Sequence, residues 1–345
     1  MITKGYIFIG LIMLSLYSMK CQEAQILDAK GPQIPVYSLS GIIRDIDSDE
    51  RLPELILKLE PVNLLYQSTY TVAFDTTNNQ GYFYFPMLVP GNYLLKIDRN
   101  HHTVCEYKVY LTRSHKTVKI AVAKPLVTFD EKYAYFPEQP HFSGFYWKYS
   151  GTLIGITDWE ENFKTNARIY EGNFVKGFKP VGKEPIILHN NSITGLAYLD
   201  NYWTCRAKKI YSISPKTGQI ETSTSIPHTI LDLTVAETYI WASTQERKIL
   251  KFNRFPSQLV QVYRPGIVEM GGIAWDGKNI WISDLANFHL IQFDHHLNKK
   301  RTYKLFYVDP WYQSHLIEAL NYISFDYEGH LWIGNENALF EFIIP

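Results

Sequence analysis

The feature that most constrains the fold of this 345-residue chain is a short repeat built around tryptophan. Each copy has a hydrophobic residue, a Trp, and a small residue two positions after the Trp. The four copies are Tyr202-Trp203-Thr204-Cys205, Ile240-Trp241-Ala242-Ser243, Ile280-Trp281-Ile282-Ser283 and Leu331-Trp332-Ile333-Gly334. A short apolar run precedes each copy, and the repeat length is roughly 40 residues. Short alternating strands repeated at this spacing are typical of the blades of a β-propeller.

The repeats predict how the propeller closes. A degenerate copy without Trp, Ile154 to Asp158, brings their number to five. Little sequence follows the last copy, so its outer strand must come from elsewhere, because an unpaired sheet edge invites aggregation. We predict that a segment near Leu126 to Phe129, before the first repeat, completes this blade. The prediction is five blades, with six as the alternative if residues 174–191 contain a further one.

The region before the repeats has a different pattern. About seven short strands with regular turn residues lie between Val36 and Lys124, a number that indicates a β-sandwich. The acidic stretch Ile46 to Arg51 lacks the Gly and the spaced ligands of an EF-hand loop, so we predict a solvated turn there. Lys124-Pro125 marks the predicted boundary with the repeats.

Particular residues in both regions carry family resemblances. In the first region they are Gly41 to Asp45, Leu52-Pro53, Phe74-Asp75, Gly81 to Phe85 and Leu88 to Tyr93. This region resembles the carboxypeptidase regulatory-like, or transthyretin-like, β-sandwich, which implies an accessory module without catalysis.

The repeat region resembles a broad group of propellers. The segment Gly272 to Asp284 is similar to blades of NHL-type proteins, of the gluconolactonase family and of propeller-type glutaminyl-peptide cyclotransferases. The metal set of the lactonase group has no match in this sequence. The segment Leu320 to Phe325 lacks the acidic residues of the cyclotransferase motif. The resemblance therefore implies the fold and no particular activity.

The N-terminus predicts export. A positively charged start, Met1 to Lys4, precedes an apolar run of about a dozen residues, Tyr6 to Tyr17. This pattern fits a secretory signal and is short for a membrane span. Cys21 follows the run and is a candidate for lipidation. We expect a secreted, periplasmic or outer-surface lipoprotein.

The predicted organisation is an all-β protein with four segments. Residues 1–21 are a signal peptide or lipoprotein signal, residues 22–35 a linker, residues 36–124 the transthyretin-like β-sandwich and residues 125–345 a five-bladed β-propeller.

The charge balance restricts the partners. The chain has 34 Lys and Arg residues and 34 Asp and Glu residues. A net charge of zero without charged blocks gives no electrostatic basis for binding nucleic acid or an anionic membrane. Membrane association is expected only through a lipid anchor.

Blade topology predicts a ligand site at one mouth of the central channel. Loops that enter inner strands and loops that leave second strands meet at the same mouth. They carry the candidate ligand-binding residues Asp158, Arg206, His228, Glu269, Asp284 and Asn335, and an aromatic insertion adds Trp311 and His315. Glu269 and Asp284 would form an acid–base pair if they lie close together. The alternative for each Asp is a cap on its own hairpin.

No complete catalytic set is recognisable. We therefore predict an exported binding or scaffold protein whose propeller mouth recognises a protein, a small molecule or a carbohydrate, with no cofactor. One alternative is a hydrolase or lactonase-like enzyme with a divalent metal at Asp158, Asp284 and Glu269. The other is a subunit of an envelope assembly.

Overall fold

The computed structural model describes residues 36–64, 72–99, 102–128, 131–133, 144–148, 152–161, 164–173, 177–182, 186–188, 194–253, 258–309, 314–318, 320–335 and 338–344. Every regular element in these ranges is a strand, so the all-β prediction is confirmed. The predicted signal, the linker, Cys21 and Trp311 lie outside the described residues. In the ranges given, no helix has the length and apolarity of a membrane span.

Seven strands form two sheets in the first region. They are β1 (Tyr37–Asp45), β2 (Ile56–Leu64), β3 (Ala73–Thr76), β4 (Tyr82–Leu88), β5 (Gly91–Arg99), β6 (His102–Leu111) and β7 (His115–Val122). One sheet has the order β4-β1-β7 and the other has the order β3-β2-β5-β6. Strand β1 runs antiparallel to β4 and parallel to β7.

The two sheets bury a common apolar cluster. Side chains alternate along each strand, so every second residue of β5 is buried, including Leu95 and Ile97. Phe83 and Phe85 of β4 alternate in the same way and contact each other edge to face. Residues from both sheets belong to one core cluster. The period of two in the sequence therefore places one face of each sheet in the interior.

Two short strands, β8 (Lys124–Thr128) and β9 (Glu131–Tyr133), lead into five further antiparallel sheets. The first contains β10 (Gly144–Lys148), β11 (Thr152–Glu161), β12 (Lys164–Asn173), β13 (Gly177–Pro180) and β14 (Ile186–Leu188). The second contains β15 (Thr194–Leu199), β16 (Asn201–Arg206), β17 (Lys209–Ile213) and β18 (Ile220–Ser225). The third contains β19 (Ile230–Ala236), β20 (Tyr239–Thr244), β21 (Ile249–Asn253) and β22 (Leu259–Tyr263).

The fourth sheet contains β23 (Met270–Trp275), β24 (Ile280–Asp284), β25 (His289–Phe293), β26 (Lys299–Val308) and β27 (Ser314–Leu316). The fifth contains β28 (Tyr322–Phe325), β29 (Leu331–Asn335) and β30 (Ala338–Phe342). Within residues 174–191 the described strands β13 and β14 both pair with β12, so they extend the first sheet.

The first strand of each of these five sheets faces the centre of a ring. Strand β10 contacts β15, β15 contacts β19, β19 contacts β23, β23 contacts β28, and β28 contacts β10 again. The arrangement is propeller-like, with these five inner strands around one axis.

The outer edge of the fifth sheet was predicted to pair with a segment near Leu126 to Phe129. Strand β8, which includes Leu126 to Thr128, itself runs parallel to β26 of the fourth sheet. Strand β9, three residues further on, pairs antiparallel with β30 and supplies the outer strand of the fifth sheet. The need for a closing strand was predictable, but its register depends on these tertiary contacts.

The Trp repeat has a physical explanation in this ring. Trp203, Trp241, Trp281 and Trp332 are all buried between sheets. The Ser two positions later links neighbouring sheets in two cases. Ser243 Oγ donates to the carbonyl of Gly271 at 2.6 Å, and Ser283 Oγ donates to the carbonyl of Leu320 at 2.7 Å. Each bond joins a second strand to the start of the next inner strand.

The first region docks on the fourth sheet. Asp47 accepts hydrogen bonds from the backbone N–H of Thr302 at 2.6 Å and from its hydroxyl at 2.8 Å, and lies 3.1 Å from Lys299 Nζ. Phe306 of β26 packs into the core cluster of the first region. The segment that carries Asp47 is an exposed turn, as the acidic stretch predicts, and only the Asp47 carboxylate contacts the neighbouring sheet.

Candidate functional site

The ring has two mouths with different geometry. At the entry mouth, inner strands begin and second strands end, as in the pairing of Ile230 with Thr244. At the exit mouth, each inner strand turns through a hairpin into the second strand, as in the pairing of Ala236 with Tyr239. The sequence predicted a ligand site at the entry mouth.

One cavity lies at the exit mouth and has a volume of about 480 Å³. Each of the five inner strands, or the hairpin that follows it, contributes to the wall, so the cavity lies on the axis of the ring. The lining residues are Tyr146, Tyr198, Leu199, Val235, Glu237, Trp275, Asp276, Gly277, Phe325, Asp326, Tyr327, Glu328 and Gly329.

The wall of this cavity combines aromatic and acidic side chains. Five lining residues are aromatic and four carry carboxylates, whereas none of the described residues that line it is Lys, Arg or His. Glu237 and Glu328 are exposed at the rim. Aromatic faces and carboxylates both attract positive charge, so the chemistry of the wall favours a cationic ligand.

Two of the four carboxylates are fixed by their own hairpins. Asp276 Oδ1 accepts the backbone N–H groups of Lys278 and Asn279, and Oδ2 accepts the indole N–H of Trp281 at 2.7 Å. Asp326 repeats this arrangement with the N–H groups of Glu328 and His330 and with the indole of Trp332 at 2.9 Å. These bonds fix the hairpin walls of the cavity.

Neighbouring inner strands approach each other closely at a set of glycines, a region we call the waist. A Cβ atom on Gly144 would lie 2.8 Å from the carbonyl carbon of Gly195, and one on Gly272 would lie 2.9 Å from the carbonyl oxygen of Asn321. Inner strands therefore approach each other too closely for a side chain at these positions.

Asp232 is a buried carboxyl group at this waist. Its Oδ1 accepts the N–H of Leu233 at 2.8 Å, and its Oδ2 accepts the N–H of Ile273 on the next inner strand at 2.9 Å. Burial raises the pKa of Asp232 well above its usual range, and the two backbone N–H groups oppose the shift. The side chain links two inner strands. Asp232 is not among the described residues that line the exit-mouth cavity or the cavity beside Glu269.

The predicted ring at the entry mouth is only partly assembled. Glu269 lines a second cavity of about 330 Å³, together with Leu231, Gln245, Arg247, Val268, Met270 and Leu285. The wall of this cavity comes from the third and fourth sheets alone, so the cavity lies to the side of the axis. Arg247 and Glu269 both line it, so its wall has mixed charge.

Asp284 is buried and turned into its own hairpin. Its Oδ2 accepts a hydrogen bond from the Asn287 amide at 2.8 Å. Glu269 approaches through its backbone, since its carbonyl accepts the N–H of Leu285. Asp284 Oδ1 is buried without a hydrogen-bond partner among the described residues, and no described backbone N–H group bonds to this carboxylate.

The other predicted residues have separate surroundings. His228 Nδ1 lies 3.7 Å from Glu246 Oε2, and Arg206 is half-buried at the end of β16. His315 Nε2 lies 3.0 Å from Asp309 Oδ2. For Asp158 in β11 and Asn335 in β29 only the backbone is described.

Among the residues whose side chains are described, one group of His and carboxylate side chains converges closely enough to hold an ion. It consists of Asp326, His330 and Glu341 in the fifth sheet, and the predicted ring contributes no member. Sequence reasoning missed this group and the exit-mouth cavity, because it searched the loops that enter inner strands. The available signal was an Asp shortly before two of the four Trp strands, in Trp275-Asp276 and in Phe325-Asp326.

Comparisons with known proteins give likenesses of fold. No family model matches the sequence. No curated protein is similar to it in sequence. Myxococcus xanthus glutaminyl cyclase has a TM-score of 0.48 and 14% identity, and the match covers 64% of this chain and 98% of that one.

Two further solved structures are similar over a comparable part of the chain. A streptogramin B lyase structure has a TM-score of 0.38 and 11% identity, covering 62% of this chain and 97% of that one. The Neurospora crassa Pan2 WD40 domain has a TM-score of 0.37 and 8% identity, covering 64% and 97%. Likenesses at this level transfer no activity or ligand to this chain.

Proposed function

We propose that this chain is an exported binding protein without catalytic activity, which captures a small organic cation in the exit-mouth cavity. In this proposal residues 36–124 form a transthyretin-like sandwich and residues 125–345 form a five-bladed propeller. Two observations support this architecture. The first region has two sheets around one core, and the five inner strands contact each other in a closed cycle.

The observation that carries the functional proposal is the composition of the cavity wall. Tyr146, Tyr198 and Trp275 contribute aromatic groups to the wall, while Glu237 and Glu328 add carboxylates at the rim. A cation over an aromatic face gains about 0.5–2 kcal/mol, depending on how far it is desolvated. A volume of about 480 Å³ is in the range of small-molecule sites.

The carboxylates of the wall favour binding over catalysis in this proposal. Asp276 and Asp326 already accept backbone and indole N–H groups, so their carboxylates serve the hairpins. The remaining acids, Glu237 and Glu328, are exposed at the rim. Such an arrangement attracts and orients a cation without supplying a buried acid–base pair.

Calorimetric titration of the full chain tests the proposal. The probes are tetraethylammonium, spermidine, glucose and citrate. We expect the two cations to bind with one-to-one stoichiometry, and Trp275→Ala to weaken them about tenfold through loss of the aromatic face. Tyr84→Ala, at an exposed tyrosine of the first region, is the matched aromatic control and should leave binding unchanged.

The other probes define what would overturn the proposal. Binding of glucose without binding of the cations would assign the cavity to carbohydrate. Binding of citrate would contradict the charge argument. Absence of binding by all four probes would remove the organic-cation assignment altogether.

A further inference from the structure

Four ionisable side chains meet at the hairpin of the fifth sheet. His330 Nδ1 lies 2.8 Å from Glu341 Oε1, 3.6 Å from Asp326 Oδ2 and 3.9 Å from Glu328 Oε2. One imidazole nitrogen therefore faces three carboxylates. Even a protonated His330 would leave these four groups with a net negative charge.

The fourth sheet contains a matched hairpin without this charge. Trp281 pairs with Gln292 in the register in which Trp332 pairs with Glu341. Asn279 and His330 both stand two residues before the Trp, and each lies beside the Asp that accepts the indole N–H. Neutral amides in the fourth sheet thus correspond to His330 and Glu341 in the fifth.

A lysine from β26 lies beside the matched hairpin. Lys300 Nζ donates to Asn279 Oδ1 at 3.2 Å, and the Asn279 amide donates to Asp276 Oδ2 at 2.9 Å. A single carboxylate and a single ammonium group are close to balance there. The hairpin of the fifth sheet has the same Asp-capped backbone, but two further carboxylates and an imidazole surround it.

We propose that Asp326, His330 and Glu341 bind a divalent transition-metal cation such as Zn²⁺ or Mn²⁺, with Glu328 on the open side. One imidazole nitrogen with carboxylate oxygens is a ligand set that Zn²⁺ accepts, whereas Ca²⁺ prefers oxygen ligands alone. The ligand atoms of Asp326, His330 and Glu341 lie within 4.8 Å of one another. Metal–ligand bonds of about 2.0–2.2 Å place the ligand atoms of a tetrahedral site about 3.4 Å apart, so small side-chain movements complete it.

The surroundings support this assignment. The Trp332 indole and two backbone N–H groups already orient the Asp326 carboxylate, as outer hydrogen bonds orient the ligands in metal sites. Asp326 and Glu328 also line the exit-mouth cavity, which gives an ion a path from solvent. The inference goes beyond the proposed function, because the metal is measured alone, without any organic ligand.

The test is metal binding by the untagged full chain after treatment with a chelator. Calorimetry with Zn²⁺, Mn²⁺ and Ca²⁺ should show one site for Zn²⁺ or Mn²⁺ and much weaker binding of Ca²⁺. The double variant His330→Asn with Glu341→Gln reproduces the amides of the fourth-sheet hairpin. We expect it to weaken binding at this site at least 100-fold.

A second His–Glu pair provides the control. His228→Asn with Glu246→Gln changes a pair that lies 3.7 Å apart with one carboxylate, and it should leave metal affinity unchanged. If the first double variant does not fold by circular dichroism, Glu328→Gln at the exposed rim should still weaken binding several-fold. Absence of stoichiometric binding by the unmodified chain, or equal affinity in the folded variants, would overturn the inference.

Discussion

The two mouths of the ring differ in the origin of their walls. All five inner strands contribute to the exit-mouth cavity, which is lined by aromatic and acidic groups. The entry-mouth cavity is lined by residues of two neighbouring sheets, and these include both the acidic Glu269 and the basic Arg247. Hairpins that converge on the axis give a central cavity of one sign of charge, whereas loops that cross between two sheets give a lateral cleft. Position relative to the axis therefore distinguishes the candidate ligand site from the other cavity.

The waist should give the largest effect on stability. Asp232→Ala leaves the buried N–H groups of Leu233 and Ile273 without acceptors, and we expect a loss of about 3 kcal/mol in the free energy of unfolding. Urea denaturation measures it. The control is Asp294→Ala in an exposed turn, where water replaces the carboxylate and the loss should be clearly smaller. Equal losses in the two variants would contradict the role of the waist.

The entry mouth should also show the stronger pH dependence of stability. Burial, followed by the charge of Lys304, lowers the pKa of His289 to about 4, and Asp284 partly opposes the shift. The unfolded chain binds this proton near the ordinary pKa of about 6.5. The contribution of neutral His289 is therefore complete above that pH and is lost as the pH falls towards 4.

A substitution isolates this contribution. We expect His289→Asn to reduce the loss of unfolding free energy between pH 7 and pH 4 by roughly 2 kcal/mol. Denaturant titrations at a series of pH values measure the difference. An identical pH profile for the variant and the unmodified chain would show that His289 is not responsible.

The aromatic wall should have the largest effect on ligand binding. Trp275→Ala removes one aromatic face from the exit mouth and should weaken tetraethylammonium about tenfold. Trp275→Phe retains a face and should recover most of the affinity. Equal weakening by both variants would point to a packing role for the indole in place of a contact with the cation.

Paired substitutions of glutamate give the smallest effect and the sharpest comparison between the mouths. Glu237→Gln removes a rim carboxylate of the exit cavity and should weaken the cation about threefold, with less effect at high salt. Glu269→Gln makes the same change at the entry mouth and should alter affinity by less than this. Calorimetry at two salt concentrations measures both. The reverse order of effects would assign the cation to the entry cavity.

Many strands of the ring could be predicted from local sequence patterns. The Trp copies and their apolar runs predicted β16, β20, β24 and β29 because a period of two marks a half-buried strand. A closing strand from this part of the chain was expected. The parallel pairing of Leu126 to Thr128 with β26 was not, because no local sequence pattern indicates it. Asp47 likewise accepts hydrogen bonds from Thr302, which lies 255 positions away in the sequence.

The candidate site was less predictable. The sequence showed that Asp276 and Asp326 precede Trp strands, which is enough to predict capped hairpins. It did not show that five hairpin regions meet around one cavity, because their convergence depends on contacts between inner strands that are distant in sequence. The convergence of His330 with Glu341 depends on the pairing of β29 with β30.

The most direct test of the central claim is a crystal structure of the full chain with bound tetraethylammonium. We predict density for the cation on the axis at the exit mouth, in contact with Trp275 and at least one of the aromatic residues Tyr146 and Tyr198. Density beside Glu269 and Arg247 at the entry mouth, with an empty exit cavity, would contradict the account.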